Sequence, residues 1–214
     1  MSMNKLFFIV TLLLGALASG CSQETPQKKN HLKALADDSG QFELPSKNNL
    51  ITFPEAHAPH KTFRQEWWYL TANLKTQDGQ SLSTQWTLFR RAVDTKHWYF
   101  GHAALADSKQ HQSAYRNGRE ELGNVMITSQ PFSAIIDDWQ WRSNSELLPA
   151  QLSYGSASHI AKSNNHTTLN EPKPSTENWQ VKLNLSAEPY FFLQGNKGFS
   201  QKHHSLNIAS HYYS

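Results

Sequence analysis

The chain has almost no cysteine: Cys21 alone in 214 residues. No internal disulfide can form, so the fold must stand on its own core. A cysteine nucleophile other than Cys21 and a multi-cysteine zinc site are excluded for the same reason. Several chemical signatures are missing as well. There is no phosphate loop, no G-x-S-x-G elbow and no H-E-x-x-H pair. Net charge is only +3, with acids and bases interspersed and no basic stripe, which argues against nucleic acid as a partner. Helical periodicity is nearly absent, and no internal repeat is found. The long apolar run at residues 6–17 is too short to span a bilayer.

That run follows a lone Lys5 and precedes Ala18, Ser19 and Gly20, so residues 1–20 read as a secretory signal. Leu17-Ala18-Ser19-Gly20-Cys21 resembles a bacterial lipobox, and lipidation of Cys21 is expected to anchor the mature chain to a membrane. Ser22 resembles the sorting signal for the outer membrane, which implies a cell-envelope location on its periplasmic face. Residues 21–49 are polar and read as a tether, with a weak helix signal at 31–36. The domain is expected over residues 50–214.

What the chain does have is aromatic side chains, 12% of the total with seven Trp. Most are expected to serve as core. They gather first around Glu66-Trp67-Trp68-Tyr69, after which Leu70, Ala72 and Leu74 alternate with Thr71 and Asn73. A period of two is the mark of a strand. Asp78-Gly79 reads as a type I′ turn, making a hairpin with the strand that ends Gln85-Trp86-Thr87-Leu88-Phe89-Arg90-Arg91. With a two-residue loop, Trp67 faces Arg90, Tyr69 faces Leu88 and Glu66 faces Arg91. Both faces then carry large aromatics, so one should line an interior and the other be covered by something else.

Further short strands are expected at 97–106, 125–127, 132–136, 139–141, 147–154 and 179–187, with a turn at Asp137-Asp138. The charged segment 113–123 reads as either a short helix or an irregular crossing. Residues 156–177 look like a long exposed loop. Short strands with turn signals and little helix define an all-β antiparallel sandwich or barrel.

The hairpin region resembles the carotenoid 1,2-hydratase and AttH-like lipocalin-type family, whose pattern runs near F-P-x-D-H-G-x-H, F-R-x-E-W-W-Y-x-T-G-x-L and Q-x-T-L-F-R. Phe53, Pro54, His57, His60, Phe63, Arg64, Glu66 to Tyr69, Thr71, Leu74, Gln85 and Thr87 to Arg90 match. Ala56, Ala58 and Ala72 depart from it. The segment from Leu193 to Ser214 resembles the family's L-Q-G-D-x-G-x-S-x-K and S-Y-Y-S, with Asn196 in place of Asp. The resemblance implies a lipocalin-like antiparallel β-barrel, the first of two such domains, with the second missing after Ser214. It also implies an apolar, lipid or polyene-like ligand and a role beside an ABC-type export system. The enzymatic alternative it implies is a hydratase or hydrolase that needs no cofactor.

Three residues are candidates for chemistry. Glu66 beside Trp67 and Trp68 has the makings of a general acid, against the plainer reading of an ion pair with Arg91 or Arg64. His57 and His60, three apart, could shuttle protons; as metal ligands they would need a third donor, His102 being nearest in order. No metal is assigned. Trp67, Trp68, Tyr69, Trp86, Arg90 and His102 are the candidate ligand-binding side chains, with Arg90 read as stacking on Trp67 or holding an anionic head group.

Overall fold

The computed structural model describes residues 42–93, 95–156, 178–186, 190–204 and 208–214. Cys21, the tether up to residue 41 with its 31–36 segment, and all but the start of the 156–177 loop lie outside the described residues, whereas Glu43 in the last part of the tether bridges to Phe63. No described helix is long and apolar enough to cross a membrane.

Eleven strands form among the described residues, and the fold class is the expected all-β one. Four build the first sheet: β1 (Gln65–Lys75), β2 (Ser81–Val93), β3 (Lys96–Ala106) and β4 (His111–Arg119). Five build the second: β5 (Val125–Ser129), β6 (Phe132–Ile136), β7 (Trp139–Ser143), β8 (Ala150–Gly155) and β9 (Gln180–Leu185). Both are antiparallel meanders in chain order. A short pair, β10 (Phe199–Gln201) and β11 (Ala209–His211), follows. Among the described residues β1 pairs only with β2 and β9 only with β8, so hydrogen bonds do not close the barrel along that seam.

The first hairpin corrects the expected register by one residue. Lys75 pairs with Ser81, which puts Glu66 opposite Arg90, Trp67 opposite Phe89 and Trp68 opposite Leu88. Thr76 accounts for the slip. Its carbonyl accepts from Gly79 N–H at 3.0 Å, its N–H reaches Gln80 O at 3.0 Å, and its hydroxyl bonds Asp78 and Gln80. Only Gly79 takes positive φ, at 83°, whereas a type I′ turn needs both central residues there. The loop therefore spans residues 76–80. A one-residue slip turns the whole of β2 over, and every facing pair changes.

Segment 113–123, left open by the sequence, is mostly strand β4, ending in a 3₁₀ turn at Glu120–Leu122. Its inward positions are Ala114, Arg116 and Gly118, so it lacks the apolar alternation that reveals a strand. Arg116 is held inside by Asp138 at 2.7 Å and lies 4.7 Å from the Trp139 ring.

The two sheets face each other across a filled interior. Trp86 and Trp141 meet edge to face at 5.7 Å, Trp139 packs on Tyr154, and Leu88, Ile136 and Leu152 fill between them. Tyr154 donates to Thr84 across the sheets at 2.5 Å, and the Thr84 hydroxyl in turn donates to Ala104 O, so neither buried hydroxyl is stranded.

Candidate functional site

The corrected register builds a polar cluster at one end of the first sheet. Glu66 on β1 and Arg90 on β2 turn inward as a cross-strand pair, Arg90 Nε reaching Glu66 Oε2 at 3.3 Å. Arg90 is completely buried. One of its terminal nitrogens donates to the carbonyls of His60 at 2.8 Å and Phe63 at 3.0 Å, and the other meets His97 Nδ1 at 3.1 Å. Glu66 accepts from the His60 backbone N–H at 2.8 Å and from its ring at 2.6 Å. The Glu66 bond raises His60 above its ordinary value, against a smaller opposing effect of burial. Burial and the nearby Arg90 charge lower His97.

Beside it, Tyr99 donates to Glu120, which also pairs with Lys61 at 2.8 Å. Burial pushes Glu120 upward, but the Lys61 and Tyr99 hydrogen bonds and the Lys61 charge outweigh it and hold the carboxyl low. Burial and the Glu120 bond drive Tyr99 upward.

His57 lies elsewhere. It ends a 3₁₀ turn at Glu55–His57, is fully buried, and packs among Phe53, Phe132, Phe191 and Tyr213. Tyr213 Oη donates to Ala56 O at 3.0 Å, so His57 Nδ1–H is the donor of the 2.8 Å bond to Tyr213. That assignment leaves Nε2 as a bare acceptor, without a protein partner among the described residues. Burial lowers His57 and raises Tyr213. Trp68 Nε1–H donates to the His57 carbonyl at 3.0 Å and ties this segment to β1.

A third arrangement faces outward. Alternation puts Trp67 and Tyr69 on the side of the first sheet away from the core, where they line a cleft of about 390 Å³ with Gln85, Thr87, Lys202 and Tyr212. Tyr69 and Tyr212 stack at 6.1 Å and share a hydroxyl–hydroxyl bond; burial, then that bond, pushes Tyr69 up to about 12. On the same face His102 stacks on Tyr115 at 4.8 Å, and Trp98, Phe100 and Tyr115 stand 37%, 42% and 61% exposed.

The candidate residues are thus brought together in parts. Glu66, His60 and Arg90 meet, while His57 is held apart in its aromatic cage. His102 is on the outward face, so it does not join the two histidines. Trp68, Trp86 and Arg90 point inward, and Trp67, Tyr69 and His102 outward. Arg90 therefore does not stack on Trp67, the expected Glu66–Arg91 pair is replaced by Glu66–Arg90, and Arg91 bonds Gln65. Among the described residues no three His, Cys, Asp or Glu are grouped to hold a metal. Sequence reasoning missed Lys202, Tyr212 and Tyr213 as site residues, although all three stood within the C-terminal motif.

An antiparallel all-β fold of this order, with a tryptophan-rich first hairpin strapped by a tyrosine pair, defines a lipocalin-like sheet protein. The AttH-like family profile matches residues 44–214, and the chain belongs to that family. A solved structure from Nitrosomonas europaea, provisionally named AttH, is similar in fold, with a TM-score of 0.62 at 23% identity. The match covers 80% of this chain and 49% of that one, so the chain spans about half the length of its solved relative. No curated protein matches the sequence.

Proposed function

We propose that this AttH-like chain is a lipid-anchored protein of the cell envelope that binds an apolar ligand, a lipid or polyene-like molecule, in support of an ABC-type exporter. The observation that carries the reading is the outward aromatic face of the first sheet with its cleft. Large apolar surface left exposed on a soluble protein commonly marks a binding site. The space between the sheets is filled by Trp86, Trp139 and Trp141, so the ligand belongs on this outer face rather than in the interior.

A hydratase would ask Glu66 to deliver a proton to an alkene. Both of its oxygens are instead turned to His60 and Arg90 as acceptors, which is the arrangement of an ion pair. Binding is therefore the better reading.

The test is native mass spectrometry of the mature chain after gentle extraction, beside Trp67→Ala. A stoichiometric apolar molecule on the parent, lost or depleted in the variant, is the expected result. A folded parent that is empty and also fails to take up an added polyene would overturn the reading.

A further inference from the structure

We infer that the outward cleft beside β1 is built for an anionic amphiphile, an acyl chain bearing a carboxylate or phosphate head, with Lys202 as the head-group partner. This rests on the apolar-ligand reading above and narrows it to a chemical class.

The charge distribution is the first argument. The outward positions of β1 to β4 alternate with the buried ones, and none of them is Asp or Glu. The chain has 17 acids, so this absence comes from their placement. Asp78 and Asp107 sit in the turns, Glu66 faces inward and Glu120 follows the last strand. Cations remain on the face: Arg91, and Arg119, which lies 4.6 Å from the Trp98 ring. A surface with aromatics and cations but no acids repels no anion and offers apolar area beside each positive charge.

Lys202 supplies the second argument. It lines the cleft from the segment after β10, and it takes part in none of the ion pairs among the described residues. Among the described residues its ammonium bonds only the neutral Ser200 hydroxyl, at 2.8 Å, and lies 5.7 Å from the Tyr212 ring. Two donor positions of the ammonium are left for a ligand. Gln85 and Thr87 add neutral polar groups on the same cleft wall.

The face also offers a path for a tail. Trp67 pairs across the strands with Phe89, and Phe89 with Phe100, their rings 6.5 Å apart in the second case. Three adjacent strands thus give an aromatic track about 10 Å across, at the usual strand spacing. It starts at Trp67 on the cleft wall and continues to Phe89 and Phe100, which lie outside the set of residues lining the cleft. A head at the lysine and a chain along the track would satisfy both ends of an amphiphile.

Isothermal titration at pH 7.5 with dodecanoate, dodecyl phosphate and 1-dodecanol, each below its micellar range, tests the assignment. The protein is the mature chain, and circular dichroism checks that each variant is folded. We expect at least one anionic probe to bind about tenfold or more tighter than the alcohol, an advantage of the size a charge-assisted contact gives. Lys202→Gln should erase that advantage while still binding the alcohol, and Lys202→Arg should keep it. Which anion binds tighter separates a fatty carboxylate from a phosphate ester. Equal binding of all three probes, or an advantage intact in Lys202→Gln, would overturn the head-group assignment and leave the apolar-ligand reading standing. No uptake of any probe by folded protein would overturn both. Retention on anionic phospholipid vesicles without uptake of monomers would assign the face to a bilayer surface instead, and a doubled mass with the cleft closed to probes would assign it to a second copy.

Discussion

Replacing Arg90 with Met is the sharpest test of the polar cluster. The side chain is fully buried and holds four acceptors: Glu66, His97 and the carbonyls of His60 and Phe63. Methionine fills much of its volume but bonds none of them. Each stranded carbonyl costs about 1–3 kcal/mol if water cannot reach it. Glu66 is only 17% exposed and would lose its cation, and breaking one side of a buried pair costs roughly 3–5 kcal/mol. Partial hydration of Glu66 and His60 offsets part of this, so we expect a net loss of about 3–5 kcal/mol, or on the order of 10 °C in Tm for a domain of this size. Urea denaturation followed by tryptophan fluorescence reads it, with an unchanged m value showing that the denatured state is the same. Adding Glu66→Leu to Arg90→Met should recover a third or more of the loss, because the stranded carboxylate is gone. A loss below about 1 kcal/mol, or a double variant no better than the single, would refute the buried-pair account.

Three further expectations can be checked with the same material. Trp68→Ala should cost about 3–5 kcal/mol because an interior ring and its bond to His57 O are lost, while Trp67→Ala should cost about 1 kcal/mol or less; the reverse order in denaturation would restore the rejected register. His57 and His97 are lowered by burial, so below their ordinary value of 6.5 the unfolded chain takes up protons that the folded one resists. His60 has the opposite sign, its contribution being present below 6.5 and lost as pH rises through its folded value. Tm should therefore fall from pH 7 to 5.5, and fall more steeply in Glu66→Gln, which removes the opposing His60 effect; a Tm that rises over that range in the parent would sink this account. Gly79→Ala should cost about 1 kcal/mol despite open space around the position, since φ is 83°, and Gly79→Asn less; equal Tm values for parent and Ala variant would contradict the turn geometry.

The strands were legible where side chains alternate between water and core, as in β1, β2 and β9. They were not legible in β4, where Ala114, Arg116 and Gly118 face inward and Arg116 is neutralised by Asp138 from the turn between β6 and β7. The register failed for a local reason: Asp78-Gly79 suits a two-residue turn, and the competing bonds of the Thr76 hydroxyl do not show in a dipeptide pattern. Glu66, His60 and Arg90 were all visible as candidates, but which arginine met the glutamate depended on that single residue of slip. Tyr213 was out of reach as a partner for His57, because no local rule relates side chains 156 positions apart.

The strap formed by Tyr212 and Tyr213 also dictates an order of events. Its bonds to Tyr69 and His57 span 143 and 156 residues, the whole length of the sheets. Closing a flexible loop that long costs on the order of 4–5 kcal/mol of chain entropy, whereas each hairpin forms across a few residues. The meanders should therefore zip first and the strap dock last. During synthesis, His57 and its aromatic cage stay open to solvent until Tyr212 and Tyr213 emerge. In the folded protein the segments that carry these contacts should be among the first to exchange their amide protons, so opening begins where Tyr212 and Tyr213 meet β1 and the His57 turn.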